Sequence, residues 1–426
     1  MRPSDPMNPD TMSIVLASTS DRLGGAARAA IRLHRSLADA GHQSRMVVDH
    51  ASSGEFGIEG PPTPTGRLGA LLRQRAHSAI LRLQRTEDRT IRSSGLVPGS
   101  AARRLRKMRP SVINVHWVGN GYISLRQLAR LQAPTIWTLH DMWVFNGAEH
   151  YSDDGADARW RTGYTRQNRP STHGGLDIDR LTWRRKARLW RQVQHIVTPS
   201  RWMAECASSS ALLQGWPCTV IPNPLPLDIF RPIDQRVARD VLRLPHQAPV
   251  VLFGAMGGDA DRRKGFDLLR DALGKLVEDL PDAIAVVFGA AEPSNSSRLP
   301  LPVHWTGVLH DDVTLALLYS AADVMVVPSR QDNLPQTGTE AQACGTPVVA
   351  FDTAGLPDVI EDRGTGYLAE PFDPEDLARG IAWVLEDRQR SQRLSAQARK
   401  RAEQLWAPDT VARQYIEVYR QALDDG

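Results

Sequence analysis

Two carboxylates and a predicted helix start lie close together in the segment VPSRQDNLPQTGTEAQACGTPVVA, residues 327–350. Asp332 and Glu340 are eight positions apart in it. Asn333 is a plausible N-cap and Pro335 suits the first helical turn, so one acid precedes a short helix and the other lies within it. Free N–H groups at a helix start favour a phosphate, and carboxylates can bind sugar hydroxyls. The segment therefore suits a sugar nucleotide, although an ordinary helix with solvent-facing acids has the same spacing.

Three other groups of residues stand where strands are predicted to end. Gly24 and Gly25 follow the first strand and open the first helix, where glycine lets a backbone approach a ligand closely. Arg263 and Lys264 lie between a later strand and its helix, and His140 ends a strand. Ligands of open α/β sheets bind at the carboxyl ends of strands. Each group also has a simpler interpretation. The glycines can form a tight turn, the basic pair can form a solvated turn, and the histidine can be structural.

Short runs rich in Val and Ile alternate with helical patterns along the chain, which indicates parallel sheets with helices on both faces. The predicted strands are Ile14–Ala17, Met46–Val48, Val112–His116, Thr135–His140 and Ile196–Thr198, then Val250–Gly254, Ile284–Gly289, Val303–Thr306, Val324–Val327 and Val348–Phe351. Two such series, in a chain too long for one ordinary core, predict an α/β protein with two Rossmann-like doubly wound domains.

A proline-rich linker, IPNPLPLDIFRP, is predicted to separate these domains. We expect an N-terminal domain over residues 12–226 and a C-terminal domain over residues 227–404. The last segment, residues 405–426, is amphipathic, with Val411 and Tyr415 on its apolar face.

The segment around Asp332 and Glu340 resembles the E-x7-E region of the retaining glycosyltransferases of family 4, which have the GT-B fold. The matching residues are Pro328-Ser329, Asp332 in place of the commoner Glu, Glu340-Ala341, and Cys344 to Val349. The Asp-Asn-Leu-Pro run at Asp332 and the His-Asp-Met-Trp run at His140 are similar to the branch that builds bacterial exopolysaccharides, including colanic-acid-type enzymes.

The resemblance implies transfer of a sugar from a nucleoside diphosphate sugar to a glycan or lipid-linked acceptor, with retention of configuration. It places Glu340 on the ribose, Lys264 on the diphosphate, and Asp332 and His140 against the donor sugar. It also implies that the final helix, residues 405–426, crosses back onto the N-terminal domain. Arg262 or Arg263 would replace an arginine that relatives carry further upstream. The implied donor-binding residues are Gly24, Gly25, Arg263, Lys264, Asn333, Leu334, Pro335 and Glu340.

We expect no metal and no other cofactor. Two Asp-x-Asp triplets, at residues 177–179 and 259–261, have the form that holds a divalent cation in the other large glycosyltransferase fold, but neither follows a convincing strand. Relatives in this family often carry cysteines near the positions of Glu149, Tyr164 and Asn168, and this chain has none there. We therefore expect neither a metal nor a disulfide in that loop.

The charge of the chain is unevenly distributed although its net charge is only +4. Residues 67–109 hold twelve Lys or Arg and two acids, and a second basic cluster runs from Arg180 to Arg191. Apolar residues at helical spacing and arginines around them predict that residues 67–92 form a basic amphipathic helix that lies on an anionic membrane. The apolar residues are Leu68, Leu72, Ala76, Ile80 and Leu83, and the arginines are Arg73, Arg75, Arg82, Arg85 and Arg89. The alternative is a helix that packs on its own domain and has a solvated basic face. Nucleic-acid binding is less favoured, because residues 67–109 contain no Phe, Tyr or Trp side chains that could stack on bases.

The N-terminus is polar, no apolar run reaches membrane-spanning length, and three scattered cysteines form no disulfide framework. We therefore expect a cytoplasmic protein at the inner face of the plasma membrane. Two other functions remain open: an epimerase or phosphorylase of the same fold, and a non-catalytic subunit that binds sugar nucleotides or glycans.

Overall fold

The computed structural model describes residues 11–254, 261–289, 292, 299–309 and 311–425. Its strands are β1 Ser13–Ala17, β2 Gln43–Val47, β3 Ile58–Glu59, β4 Gln84–Arg85, β5 Val112–Val115, β6 Thr135–Thr138, β7 Gly174–Gly175, β8 His195–Thr198, β9 Cys218–Val220, β10 Val250–Gly254, β11 Ile284–Phe288, β12 Val303–Gly307, β13 Val324–Val327, β14 Val348–Phe351 and β15 Gly366–Ala369.

The helices are α1 Gly25–Asp39, α2 Pro64–Leu81, α3 Ala101–Met108, α4 Leu125–Leu128, α5 Arg159–Thr162, α6 Ile178–Leu189, α7 Arg201–Ser208, α8 Gln235–Leu242, α9 Phe266–Asp279, α10 Asp312–Ala321, α11 Gln336–Ala343, α12 Leu356–Val359, α13 Pro374–Glu386, α14 Arg388–Leu405 and α15 Pro408–Asp424. None of these helices is long and apolar enough to cross a membrane.

The chain divides into two compact units. One ends at Pro224 and resumes at Val411, and the other runs from Leu225 to Thr410. Each unit has a parallel sheet whose central strands are buried on both faces, because helices cover both sides. Both are Rossmann-like sheets, as the alternation of the sequence predicted.

The sheet of the first unit has the strand order β3-β2-β1-β5-β6-β8-β9 within the described residues. The chain leaves β1 toward one edge and returns to build the other side from β5, so the loops after β1 and β5 meet at the switch point of the sheet. The second sheet, β12-β11-β10-β13-β14-β15, reverses between β10 and β13 in the same way.

Helix α15 completes the first unit, as the family resemblance implied. Its tyrosines are buried against the first sheet, where the hydroxyl of Tyr419 accepts a hydrogen bond from Asn114 at 2.7 Å and Tyr415 contacts Thr138 at 3.3 Å. Buried polar groups need such partners, so these contacts fix the helix on the sheet.

The predicted helix over residues 67–92 is wrong in its extent. Helix α2 begins at Pro64 after the N-cap Thr63 and ends at Leu81. Residues 84 and 85 form β4, which pairs antiparallel with β7. Arg73, predicted to face a membrane, instead forms an ion pair with Asp49 at 2.8 Å.

Candidate functional site

The loops after β10 and β13 meet at the switch point of the second sheet. Residues 255–260 of the first loop lie outside the described residues, and its end is a 3-10 turn, Arg262–Lys264, that leads into α9. The second loop runs from Pro328 to Pro335 and leads into α11. Parallel α/β sheets bind ligands at this point, so the residues on both loops form a candidate site.

Lys264 and Asp332 bind each other across these two loops. The Nζ atom of Lys264 donates to Oδ2 of Asp332 at 2.6 Å. Burial alone would raise the pKa of Asp332, but the charges of Lys264 and Arg263 outweigh burial and lower this pKa below its usual value. Asp332 is therefore an ionised carboxylate, and its backbone neighbour Asn333 donates an N–H to the other oxygen at 3.0 Å.

Backbone contacts hold the two loops together. The N–H of Arg330 donates to the carbonyl of Arg263 at 2.8 Å, and the guanidinium of Arg263 donates to the carbonyl of Gln331 at 3.0 Å. Gly265 has φ +68°, and a Cβ atom there would lie 1.9 Å from the carbonyl oxygen of Pro328. The close approach of the loops therefore requires glycine at this position.

Glu340 lies within α11, as predicted, and is almost fully buried. Its Oε2 atom accepts a hydrogen bond from the hydroxyl of Tyr319 at 2.9 Å. The predicted N-cap was wrong, because Pro335 rather than Asn333 occupies that position. Gly345 follows the helix with φ +78°, as expected for a helix stop.

A third loop, after β14, supports the same segment. The N–H of Gly355 donates to the carbonyl of Asp332 at 2.9 Å. A Cβ atom on Gly355 would lie 1.5 Å from the carbonyl oxygen of Asn333, so this position also requires glycine. Leu334 points into the apolar core of the unit and anchors the loop.

In the first unit, Gly24 and Gly25 lie where the sequence placed them. Gly24 is the N-cap of α1 with φ +88°, a conformation that L-residues rarely adopt, and Gly25 begins the helix. Both follow β1, on the carboxyl side of the switch point of the first sheet.

His140 follows β6 and contacts His116, which follows the adjacent β5. Their Nε2 and Nδ1 atoms are 2.9 Å apart, and the rings stack. The Nε2 atom of His116 is buried without a hydrogen-bond partner among the described residues, so we place the proton of His116 on Nδ1, donating to His140. The proton of His140 then lies on Nδ1. Sequence reasoning missed His116, although its position at a strand end was a signal.

Both histidines are neutral at neutral pH. Burial lowers the pKa of His140 to about 4 although Asp141 acts in the opposite direction, and burial lowers the pKa of His116 well below its usual value. An unfolded histidine has a pKa of about 6.5. The contribution of the pair to stability is therefore present above about pH 6.5 and is lost as the pH falls toward the folded pKa values.

Asp141, the residue after His140, is held by another buried histidine, His150. Its Oδ2 atom lies 2.6 Å from Nδ1 of His150, whose Nε2 atom lies 2.8 Å from the hydroxyl of Ser93. Burial alone would raise the pKa of Asp141, but His150 and the N–H of Trp143 outweigh it and lower the pKa. This chain of bonds fixes the segment that follows His140.

The Asp-x-Asp triplet at residues 177–179 has a structural role. Asp177 caps α6 and pairs with Arg159 at 3.2 Å, while buried Asp179 accepts from Gln84 at 2.5 Å. In the second triplet, residues 259 and 260 lie outside the described residues, and Asp261 accepts from the N–H of Arg263 at 3.1 Å. No group of three potential metal-ligating side chains occurs in the described part of the chain.

Glu149 and Tyr164, at positions where relatives are expected to carry cysteines, are hydrogen-bonded to each other in the core of the first unit. Burial and the charge of Asp179 raise the pKa of Glu149 to about 8. Lys186 is fully buried nearby and donates to the carbonyl of Gly147 at 2.7 Å. A polar network therefore joins this loop to the domain.

Each of the two units matches a known family model. The Glycosyltransferase Family 4 model matches residues 23–229, and the Glycosyl transferases group 1 model matches residues 234–401. The chain carries two glycosyltransferase domains. These matches agree with the family that the Asp332–Glu340 segment indicated.

Two proteins related to these glycosyltransferase domains carry the same activity name. A D-inositol 3-phosphate glycosyltransferase 2 of Catenulispora acidiphila is 34% identical over 223 residues, 49% of this chain and 51% of that protein. A D-inositol 3-phosphate glycosyltransferase of Xylanimonas cellulosilytica is 37% identical over 48% of this chain and 51% of that protein. The match thus spans about half the length of these relatives. None of this confirms the exopolysaccharide branch.

Solved structures share the GT-B fold of the two glycosyltransferase domains. A sucrose-phosphate synthase of Thermosynechococcus elongatus aligns with a TM-score of 0.67 and 20% identity over 97% of this chain and 99% of that one. Anabaena Alr3699/HepE, solved with UDP-glucose, aligns with a TM-score of 0.65 and 18% identity over 96% of this chain and 100% of that one. At such identities the likeness concerns the fold alone.

Proposed function

We propose that the protein is a retaining glycosyltransferase that uses a nucleoside diphosphate sugar. The observation that carries the proposal is the contact of Lys264 with Asp332 at the switch point of the second sheet. The ammonium of Lys264 has three donors, of which Asp332 takes one, so the others can bind diphosphate oxygens. Negative charge on the departing nucleoside diphosphate would be stabilised there.

Asp332 would bind hydroxyls of the donor sugar with the carboxylate that Lys264 keeps ionised. Glu340 would bind the ribose after giving up the hydrogen bond that it accepts from Tyr319. Two arginines, Arg262 and Arg263, lie on the same turn as Lys264. They and the N-terminus of α11 supply the positive charge that a metal supplies in other transferases, so no metal is needed.

His140 would donate its Nδ1 proton to an oxygen of the donor sugar. Because its pKa is about 4, it acts as a neutral hydrogen-bond donor and adds no charge to the site. His116 keeps the tautomer in which this proton is available. Gly24 and Gly25 would let the start of α1 approach the donor phosphates.

The acceptor we propose is a glycan or a lipid-linked oligosaccharide of cell-surface polysaccharide synthesis. The sequence runs at Asp332 and His140 support this class. A second candidate is an inositol phosphate, which the names of the related proteins favour. Product formation with D-inositol 3-phosphate, compared with a lipid extract as acceptor, distinguishes the two.

Nucleoside diphosphates are expected to stabilise the protein in the presence of EDTA. The reason is that Lys264, Glu340 and the start of α11 form the site without metal ligands, and a ligand that binds the folded state raises the melting temperature. Thermal-shift assays with UDP, GDP, ADP and dTDP measure this. Stabilisation that appears only with Mg²⁺ or Mn²⁺ would contradict the metal-free site.

We also propose that helix α2 docks on an anionic membrane. Leu68, Leu71 and Leu72 are more than half exposed on it, and Leu83 follows the helix with a similar exposure. Arg67, Arg75, Arg82 and Arg85 are exposed around these leucines and make no side-chain ion pair within the described residues. A surface of exposed leucines within a basic rim suits a bilayer interface with acidic lipids. The membrane that we propose is the inner face of the plasma membrane.

Flotation with phosphatidylglycerol vesicles tests this docking. The protein is expected to float at low salt and to be released at high salt, since each basic residue contributes about 1 kcal/mol near such a surface. Changing Arg67, Arg75, Arg82 and Arg85 to Glu should abolish flotation. The matched control changes four exposed cations of the second unit, Arg236, Arg388, Arg393 and Lys400, to Glu. Equal flotation of the two variants would exclude α2 as the contact.

A further inference from the structure

A second concave surface, outside the site described above, is lined by four arginines. It lies within the first unit, has a volume of 440 Å³, and is lined by Arg106, Arg126, Arg130 and Arg185 together with apolar side chains such as Leu96 and Leu131. No acidic residue lines it. We call it the arginine pocket. Its size suits a small ligand rather than an extended polymer.

The four arginines come from separate parts of the chain. Arg106 lies on α3, Arg126 on α4, Arg130 just after α4, and Arg185 on α6, within the second basic cluster of the sequence. Only the fold brings these four arginines to one cavity.

The walls of the arginine pocket are held in place. Ser124 and Gln127 form a capping box at the start of α4. The amide of Gln127 also binds the backbone of Gly99, donating to its carbonyl at 2.8 Å and accepting from its N–H at 2.9 Å. The loop before α3 is therefore tied to α4, and the pocket is formed before any ligand binds.

The charges in the arginine pocket lack protein partners. Within the described residues, none of the four guanidinium groups has an ion pair or hydrogen bond, and the Nε atom of Arg185 is buried without one. Nearby arginines behave differently: Arg104 on α3 pairs with Asp49 at 2.8 Å, and Arg180 on α6 pairs with Asp177 at 3.5 Å. Four unpaired like charges repel one another unless an anion lies between them.

We propose that the arginine pocket binds a phosphate or diphosphate group. Guanidinium groups bind phosphate oxygens in pairs with matched geometry, and several of them favour an anion of more than one charge. Leu96 and Leu131 provide an apolar wall for the group that carries the phosphate. This group is either the headgroup of an acidic lipid or a soluble phosphorylated molecule. The proposal does not rest on the nucleotide site of the second unit.

Calorimetric titration with inorganic pyrophosphate at low salt tests the arginine pocket. One binding event is expected to persist in Lys264→Ala and to weaken at least tenfold in Arg126→Gln/Arg130→Gln. Both arginines are exposed, so the variant should fold. The matched control, Arg236→Gln/Arg420→Gln, removes two exposed arginines elsewhere and should bind as the wild type does. A second event that is lost only in Lys264→Ala belongs to the nucleotide site. If that is the only event that the wild type shows, the arginine pocket does not bind pyrophosphate and the proposal is overturned.

Vesicle flotation then identifies the source of the phosphate. If Arg126→Gln/Arg130→Gln loses pyrophosphate binding and also floats less well than its control with phosphatidylglycerol vesicles, the ligand is a lipid headgroup. If it loses pyrophosphate binding and floats normally, the ligand is a soluble phosphorylated molecule. Pyrophosphate binding equal to that of the control would overturn the proposal.

Discussion

Lys264→Ala is expected to lower turnover by ~10²-fold or more, because the variant loses a positive charge that faces the departing diphosphate. It should also weaken nucleoside diphosphate binding by about tenfold, the effect of losing one hydrogen bond to a charged group. Initial rates of nucleotide release from the donor and calorimetric titration with the nucleotide measure the two effects.

The variant also leaves the buried carboxylate of Asp332 without its main partner, which lowers stability. Lys264→Ala/Asp332→Asn removes that unpaired charge and should recover the melting temperature without recovering nucleotide affinity. Lys275→Ala is a matched control, since Lys275 pairs with Glu375 at 2.8 Å on the exposed side of α9. Nucleotide affinity in Lys264→Ala equal to that in Lys275→Ala would remove Lys264 from the site.

His140→Ala is expected to lower turnover by a similar ~10²-fold while leaving nucleoside diphosphate affinity unchanged. The reason is that His140 lies in the first unit and is proposed to contact the sugar rather than the nucleotide. Parallel measurements of turnover and nucleotide affinity separate the two properties. His246→Ala, which removes an exposed histidine of the second unit, provides the comparison.

His116→Phe tests how His140 is oriented. The variant keeps a buried ring against His140 but removes the nitrogen 2.9 Å from its Nε2 atom. We expect turnover to fall because His140 can then adopt the other tautomer. Full turnover in both histidine variants would show that the pair has only a structural role.

Much of the GT-B architecture could be predicted because the strands of both sheets are short, apolar and regularly separated by helices. The strands that were missed are those whose sequence carries little of that signal. Residues 84–85 and 174–175 form strands only because they pair with each other across the chain. Strand β15 begins with Gly366, and the ring of Tyr367 in this strand packs against Gly380 of α13. Such elements depend on tertiary contacts rather than on local periodicity.

The sequence placed the candidate residues on their loops and helices but could not predict the contacts between them. Spacing placed Asp332 and Glu340 on either side of a helix start, yet only the strand order brings Lys264 to Asp332 and His116 to His140. The partner of Glu340, Tyr319, lies on a different helix and has no sequence signal. The arginine pocket could not be predicted for the same reason, since its residues come from α3, α4 and α6.

Donor turnover by the purified protein, in EDTA and without a partner protein, tests the central proposal most directly. A set of nucleoside diphosphate sugars is supplied with a lipid extract as acceptor, nucleotide release is measured, and NMR records the anomeric configuration of the first product. We predict metal-independent release from one donor class, with retained configuration, that is lost in Lys264→Ala. Stabilisation by a nucleoside diphosphate without release from any donor would indicate a binding subunit, and an inverted product would contradict the retaining mechanism.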